Sequence, residues 1–166
     1  MTLYDLILSL KRSLKNLDAI VSKAEAYAEA NKIAPDVLIQ GRLRPDMLPF
    51  VAQIRIATDT AKGAAARLTG SELPKWADDE ATFEQVHQRI RKAIDYLGTF
   101  DADQFEDAEG RDIELKFGPR EFRFNGKDYM TNFVLPNFYF HVSVAYAILR
   151  YSGLGIGKTD YLGGAS

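Results

Sequence analysis

Apolar residues recur from Leu3 onward at alternating four- and three-residue steps: Leu3, Ile7, Leu10, Leu14, Leu17, Val21, Ala24 and Ala28. Leu6 and Ile20 widen the stripe, while Lys11, Arg12, Lys15 and Lys23 stand off it. This is the period of an amphipathic helix, and its length predicts a long bundle helix from a Thr2 N-cap to about Ala30. The mixed run Asn31–Pro45, broken at Pro35 and Gly41, reads as a connection. A second helix is expected from about Asp46, which can cap it, with Pro49 in the first turn where a missing N–H does least harm. Its apolar face is Met47, Phe50, Val51, Ile54, Ala57, Ala61, Ala65 and Leu68, and Gly70 fits its C-terminal stop. The AKGAAA stretch from Ala61 to Ala66 lacks bulk, so a neighbouring helix can approach closely there.

After the SELPKWADDE loop, which holds Trp76, Thr82 and Gln85 form a capping-box pair. Phe83, Val86, Ile90, Ala93, Ile94 and Leu97 then trace one face of a third helix, ended at Gly98. Ile113, Leu115 and Phe117 alternate with polar neighbours, Gly118-Pro119 turns the chain, and Phe122 and Phe124 alternate again, which predicts a short β-hairpin. A fourth helix is expected from just after Asn125-Gly126 to about Ser152, with Pro136 kinking or dividing it and Gly153 closing it. The predicted fold is all-α: a four-helix bundle with a small β-hairpin between the third and fourth helices. In the glycine-rich tail Leu154–Ser166, Ile156 and Tyr161 are expected to dock onto the bundle.

The 166 residues suit a single domain, 1–166, large enough to bury a core unaided. Lys and Arg number 21 against 23 Asp and Glu, spread rather than blocked, so no basic stripe argues for nucleic acid. With no cysteine there are no disulfides, thiolate nucleophiles or Cys-ligated zinc. Phe133–Leu149 is largely apolar, but it is shorter than the roughly 20 residues of a membrane span and contains Pro136, Asn137, His141 and Ser143. It reads as a buried central helix rather than a membrane segment. MTLYDLILSLKRSL shows no basic-then-apolar leader pattern, and a cytoplasmic protein is the expectation.

Asn137 and His141 stand four residues apart in this apolar segment, so they share one helical face and point together toward the core. Unpaired burial would cost on the order of 1–3 kcal/mol each, so they need partners: side chains, water, a ligand or a metal. His87 lies at the margin of the third helix's stripe and reads as a half-buried helix-face histidine. GLGIGK, from Gly153 to Lys158, has neither Walker spacing nor a preceding strand, and its glycines serve to turn the chain.

The segments RLRPDMLPFVAQ (42–53), TDTAKGAAARLTG (58–70), LPNFYFHVSVAYAILR (135–150) and GIGKTDYLG (155–163) resemble a bacterial and fungal family catalogued as a domain of unknown function, family 1993. That family sits in the superfamily of DinB-like and YfiT-like four-helix proteins, many of whose members are assigned as metalloenzymes. The resemblance implies an up-down-down-up bundle, commonly dimeric. It also implies a divalent metal held by three histidines, one from the second helix and two, one turn apart, from the fourth, which in characterised branches activates thiol cofactors for transfer. On this pattern His141 matches a fourth-helix ligand and Asn137 takes the place of the second. The second helix has no histidine; its nearest polar candidates are Asp46 and Gln53.

Three uses of this group follow. His141 and Asn137 can pair with neighbours in a buried polar cluster, can line a small-molecule pocket with Gln53 and Asp46, or, with His141 as principal ligand, can hold zinc, nickel, manganese or iron. Amide carbonyls are weak ligands for such metals, so a degenerate metal site in a binding or structural module is preferred. A metal-dependent transferase or hydrolase of the DinB-like type is the alternative, and whether the protein is an enzyme is left open. Phe138, Tyr139, Phe140 and Tyr146 ring the fourth helix on more than one side, which predicts a homodimer.

Overall fold

A computed structural model describes residues 1–164 of the chain. Helix α1 spans Leu3–Ala30, α2 Pro35–Ile39, α3 Phe50–Thr69 and α4 Phe83–Leu97. Single 3-10 turns at Ala102–Phe105 and Ala108–Gly110 lead into strands β1 (Ile113–Phe117) and β2 (Arg120–Phe124). Then come α5 (Gly126–Asp128), a π-helical stretch Tyr129–Val134, α6 (Leu135–Tyr151) and α7 (Lys158–Leu162). The molecule is mostly helical with one two-stranded antiparallel sheet. Helix α3 packs against both α6 and α4, α1 packs against α4, and α7 lies along α1.

Local chemistry sets the helix ends. Thr2 accepts from the Asp5 N–H while the Asp5 carboxylate accepts from the Thr2 N–H, and Thr82 with Gln85 repeats the box at α4. Gly70 ends α3 at φ 71°, a left-handed conformation costly for any residue with a Cβ. The α1 stripe is buried as its period requires, with Ile7, Leu10, Leu14, Val21 and Ala24 wholly inaccessible. Ala61, Ala64, Ala65 and Ala66 are equally inaccessible, where α3 runs among its neighbours without bulk.

Three expectations need correction. The Asn31–Pro45 connection contains the helix α2, whose Leu38 and Ile39 are buried; Pro35 starts this helix instead of merely breaking the chain. Helix α3 begins at Phe50, so Asp46 does not cap it: Pro49 disfavours helix at Leu48 and is itself extended at ψ 167°. The fourth long helical segment is divided, but the irregularity precedes Pro136, as the π stretch Tyr129–Val134. Pro136 has no N–H for the i→i−4 ladder, and the wider π register absorbs the mismatch. The hairpin pairs as expected, Ile113 with Phe124 and Leu115 with Phe122. Yet only Ile113 and Leu115 are buried, and the Phe117 and Phe122 rings stay largely exposed.

The tail docks through buried Ile156 and through Tyr161, whose hydroxyl is 3.0 Å from Ser143 Oγ and whose ring meets Tyr146 edge-on at 5.9 Å. Its last two residues, 165 and 166, lie outside the described residues. This docking changes the meaning of the aromatic ring around α6. Tyr146 is covered by the tail, Tyr139 bonds Ser9 of α1 at 3.2 Å, and Phe138 is fully buried. Phe140 and Tyr151 remain 58% and 75% exposed.

Candidate functional site

Helices α3 and α6 run antiparallel: Gln53 near the start of α3 meets His141 in the middle of α6, and Thr60 in the middle of α3 meets Asn137 near the start of α6. His141 Nδ1 lies 2.7 Å from Gln53 Oε1, and Asn137 Nδ2 donates to Thr60 Oγ1 at 2.8 Å. Both partners are on α3. His141 is buried at 9% exposure, whereas Asn137 is half-buried. The two polar residues of α6 therefore form separate rungs to α3 and do not bond each other.

The histidine rung has a defined proton arrangement. Gln53 Nε2 donates to the Leu48 carbonyl at 3.0 Å, which turns Oε1 toward the imidazole. A carbonyl oxygen can only accept, so Nδ1 carries the proton and Nε2 keeps its lone pair. Among the described residues nothing bonds Nε2. Burial holds the imidazole below its ordinary pKa, favouring the neutral ring. The Phe140 ring stands edge-on to it, centroids 5.1 Å apart. The arrangement presents one neutral hydrogen-bond acceptor at an apolar rim.

These residues do not fit the three-donor metal centre that the family resemblance implies. His141 offers a single free nitrogen, and both ends of the Gln53 amide are engaged. The Asn137 amide nitrogen is bound to Thr60. Asp46 is exposed in the segment before α3, its carboxylate 3.7 Å from Arg44 Nε. Among the described residues no three His, Asp or Glu side chains gather as a metal-binding set.

His87 is buried rather than half-buried, and its partners come from α1. Nδ1 pairs with Asp18, and Nε2 is 3.7 Å from Glu25 Oε2. Because opposite ring nitrogens face the two carboxylates, one ion cannot bridge the set, and the histidine acts as a tie between α1 and α4. Arg91 of α4 reaches the same Asp18 at 3.4 Å.

A second buried network centres on Arg89, whose side chain is 2% exposed. It meets Glu80 at 2.8 Å, Asp78 at 2.9 Å and Asp59 at 3.0 Å, and donates to Thr58 Oγ1 and the Ala77 carbonyl. Nη2 approaches Asp59 within ion-pair distance but at an angle that forms no hydrogen bond. Arg55 adds a 2.6 Å bond to Glu80. Burial pushes the Glu80 carboxyl up, but the hydrogen bonds from Arg89 and Arg55 overcome it and hold the group below its ordinary pKa. Lys62, paired with Asp59, sits 4.3 Å from the Trp76 ring centre. The network clamps the loop after α3 onto α3 and α4. Neither Arg89 nor Asp18 stands out in the sequence; the available signal is that Arg89 and His87 flank the α4 apolar stripe on its two sides.

The chain matches the family described as Domain of unknown function (DUF1993) over residues 3–162. It is similar to a crystal structure of a DinB family member protein from Shewanella denitrificans, at 40% sequence identity and a TM-score of 0.90, covering 99% of this chain and 93% of that one. No curated protein matches. With nearly the whole chain matched and the fold shared, the chain belongs to the DUF1993 family of DinB-like proteins.

Proposed function

We propose that this chain is a single-domain, homodimeric, cytoplasmic binding module, an up-down-down-up DinB-like bundle with a degenerate metal site. His141, oriented by Gln53, and Asn137 together read a small molecule. The ligand class that suits the site is a compact molecule with a hydroxyl or amide donor on an apolar body. The donor meets His141 Nε2 and the body rests on Phe140 and Leu48, which are 58% and 49% exposed. The observation that carries this reading is the proton arrangement at His141, with Nδ1–H committed to Gln53 and Nε2 free to accept. No helix of the described residues is long and apolar enough to cross a membrane, in keeping with a protein that works away from the bilayer.

A fragment screen on 15N-labelled protein tests the reading. Hydroxyl- and amide-bearing fragments should shift the resonances of Gln53, Asn137 and His141, and His141→Leu should abolish those shifts. Hits that cluster elsewhere and survive that substitution would refute the pocket. One observation favours the metal-dependent transferase or hydrolase as a second reading: a histidine oriented by an Nδ1–H bond to a carbonyl is the usual posture of a metal ligand. On that reading, protein purified without chelator carries near-stoichiometric zinc, nickel, manganese or iron, and His141→Ala loses it.

A further inference from the structure

The seam between α1 and α4 contains a hydrogen-bond acceptor that no group among the described residues satisfies. Asp18, Ser22 and Glu25 follow one another at steps of four and three on α1, and Glu84, His87 and Arg91 at steps of three and four on α4. Residues so spaced share one helical face. The Asp18 carboxylate can only accept, so its bond to His87 Nδ1 fixes a proton on that nitrogen. In the neutral ring Nε2 then carries a lone pair, and it faces Glu25 Oε2 at 3.7 Å. That distance is beyond a hydrogen bond, and both atoms are acceptors. The His87 side chain is only 8% exposed, so Nε2 has little access to bulk water. A charged imidazolium would draw the mobile Glu25 carboxylate in to about 2.8 Å. The wider gap instead suits a donor supplied from outside.

This acceptor pair sits where two hollows meet, and Glu25 lines both. The polar hollow, about 450 Å³, is bounded by Ser22, Glu84, His87 and Arg91. Three carboxylates, Asp18, Glu25 and Glu84, surround it against one guanidinium, Arg91, which itself pairs with Asp18 at 3.4 Å. The second hollow, about 320 Å³, is floored by Ala28, Ile33, Pro35 and Phe83. At its rim Glu29 and Lys32 oppose each other in sign. One groove thus joins an anionic, acceptor-rich end to an apolar end, the mixture that small-molecule sites use.

We propose that this groove binds a primary alkylammonium ion, its N–H groups donating to His87 Nε2 and Glu25 Oε2 and its alkyl chain lying on Phe83 and Ala28. An ammonium has three donors, and the Ser22 hydroxyl, which spends its own proton on the Asp18 carbonyl, offers the third acceptor. Two acceptors of one ammonium stand about 4.6 Å apart when each bond is about 2.8 Å. Glu25, 52% exposed, therefore moves outward by only about 1 Å to meet it. Phe83 lies one helical turn from His87, roughly 6 Å, the reach of a chain of about five carbons. Because Glu29 and Lys32 offset each other, the far end suits an uncharged chain terminus rather than a second ammonium. A metal ion fits less well: among the described residues no three His, Asp or Glu side chains gather as a ligand set, and an ion leaves the apolar floor unused. This site lies between α1 and α4, whereas the His141 site lies between α3 and α6, so neither reading depends on the other.

Pentylamine titrated into full-length 15N-labelled protein at neutral pH tests the inference. The free protein should show His87 with a protonated Nδ1 and an unprotonated Nε2, and the amine should move the Nε2 resonance. Pentanol, with the chain but no charge, and methylamine, with the charge but no chain, should each bind at least about ten-fold more weakly. Glu25→Gln, at an exposed position, removes the charge and offers its own N–H to the imidazole; it should weaken pentylamine about ten-fold. A His87 ring protonated at both nitrogens in the free protein overturns the inference, as does pentanol binding as tightly as pentylamine or an unchanged affinity in Glu25→Gln. Shifts confined to Gln53, Asn137 and His141 would also overturn it, while leaving the His141 pocket standing.

Discussion

Replacing Arg89 with methionine keeps most of the side-chain volume and removes the cation from the most enclosed charge cluster of the molecule. Breaking a buried ion pair by deleting one partner costs about 3–5 kcal/mol, because a charge is left in a poor solvent. Here the lower end applies. Asp59 and Asp78 are 42% and 59% exposed and can rehydrate, and Glu80, only 9% exposed, keeps its 2.6 Å bond from Arg55. The Ala77 carbonyl loses its donor, while the Thr58 hydroxyl still donates to its own helix at 2.9 Å. The expected loss is about 3 kcal/mol, which for a domain of this size lowers Tm by about 6–12 °C. Urea denaturation with an unchanged m-value measures it. Arg89→Met/Glu80→Gln should recover about 1 kcal/mol or more, since it also removes the charge left behind. A loss under about 1 kcal/mol, or strict additivity of the two substitutions, would refute the reasoning from burial.

The same cluster fixes an acid limit. Glu80 is held below its ordinary carboxyl pKa in the folded protein, so its contribution is fully present above the unfolded value, near 4.5, and is lost as pH falls through the lower folded value. Arg89→Met should flatten the stability profile across that window, and an unchanged slope there would count against Glu80 as its source. Gln53→Leu should cost roughly 2 kcal/mol by stranding the Leu48 carbonyl and the His141 Nδ1–H, and imidazole 15N shifts should show the ring losing its single tautomer. His87→Ala should cost about 2 kcal/mol, and a double-mutant cycle with Asp18→Asn should show them coupled; independent effects would mean that the α1–α4 tie carries no energy. Gly126→Ala places a Cβ 1.8 Å from the Ala108 carbonyl oxygen and should destabilise by about 3 kcal/mol, read by thermal unfolding.

The sequence displayed most plainly those parts of the fold whose determinants are local. The α1 stripe, both capping boxes, the Gly70 stop and the hairpin register each depend on residues a few positions apart. Helix α2 was hidden because one helical turn supplies too little period to detect, and its Leu38 and Ile39 register as buried only once α1 and α3 are beside them. The start of α3 was misplaced because Asp46 and Pro49 each look like helix openers, whereas the extended backbone at Pro49 delays the helix to Phe50. Arg89 escaped notice for a different reason. Its carboxylate partners lie 9 to 30 positions away, and each by itself has the composition of a solvated surface.

The candidate site was legible on one helix and illegible on the other, and the difference bears on its chemistry. Asn137 and His141, four residues apart, rise about 6 Å along α6. Their partners on α3, Thr60 and Gln53, are seven residues apart and so rise about 10 Å. No one-helix pattern can show that mismatch, because it belongs to the crossing of two helices. It splays the rungs, so that the two α6 side chains face different partners instead of one point. A single ion asks for donors converging within about 2–2.5 Å of it, and splayed rungs oppose that. A molecule several ångströms long can span them, with a donor at His141 Nε2 and an acceptor or donor toward Asn137. The antiparallel crossing that hid these partners from the sequence is thus also what sets the two α6 side chains against sharing a single ion.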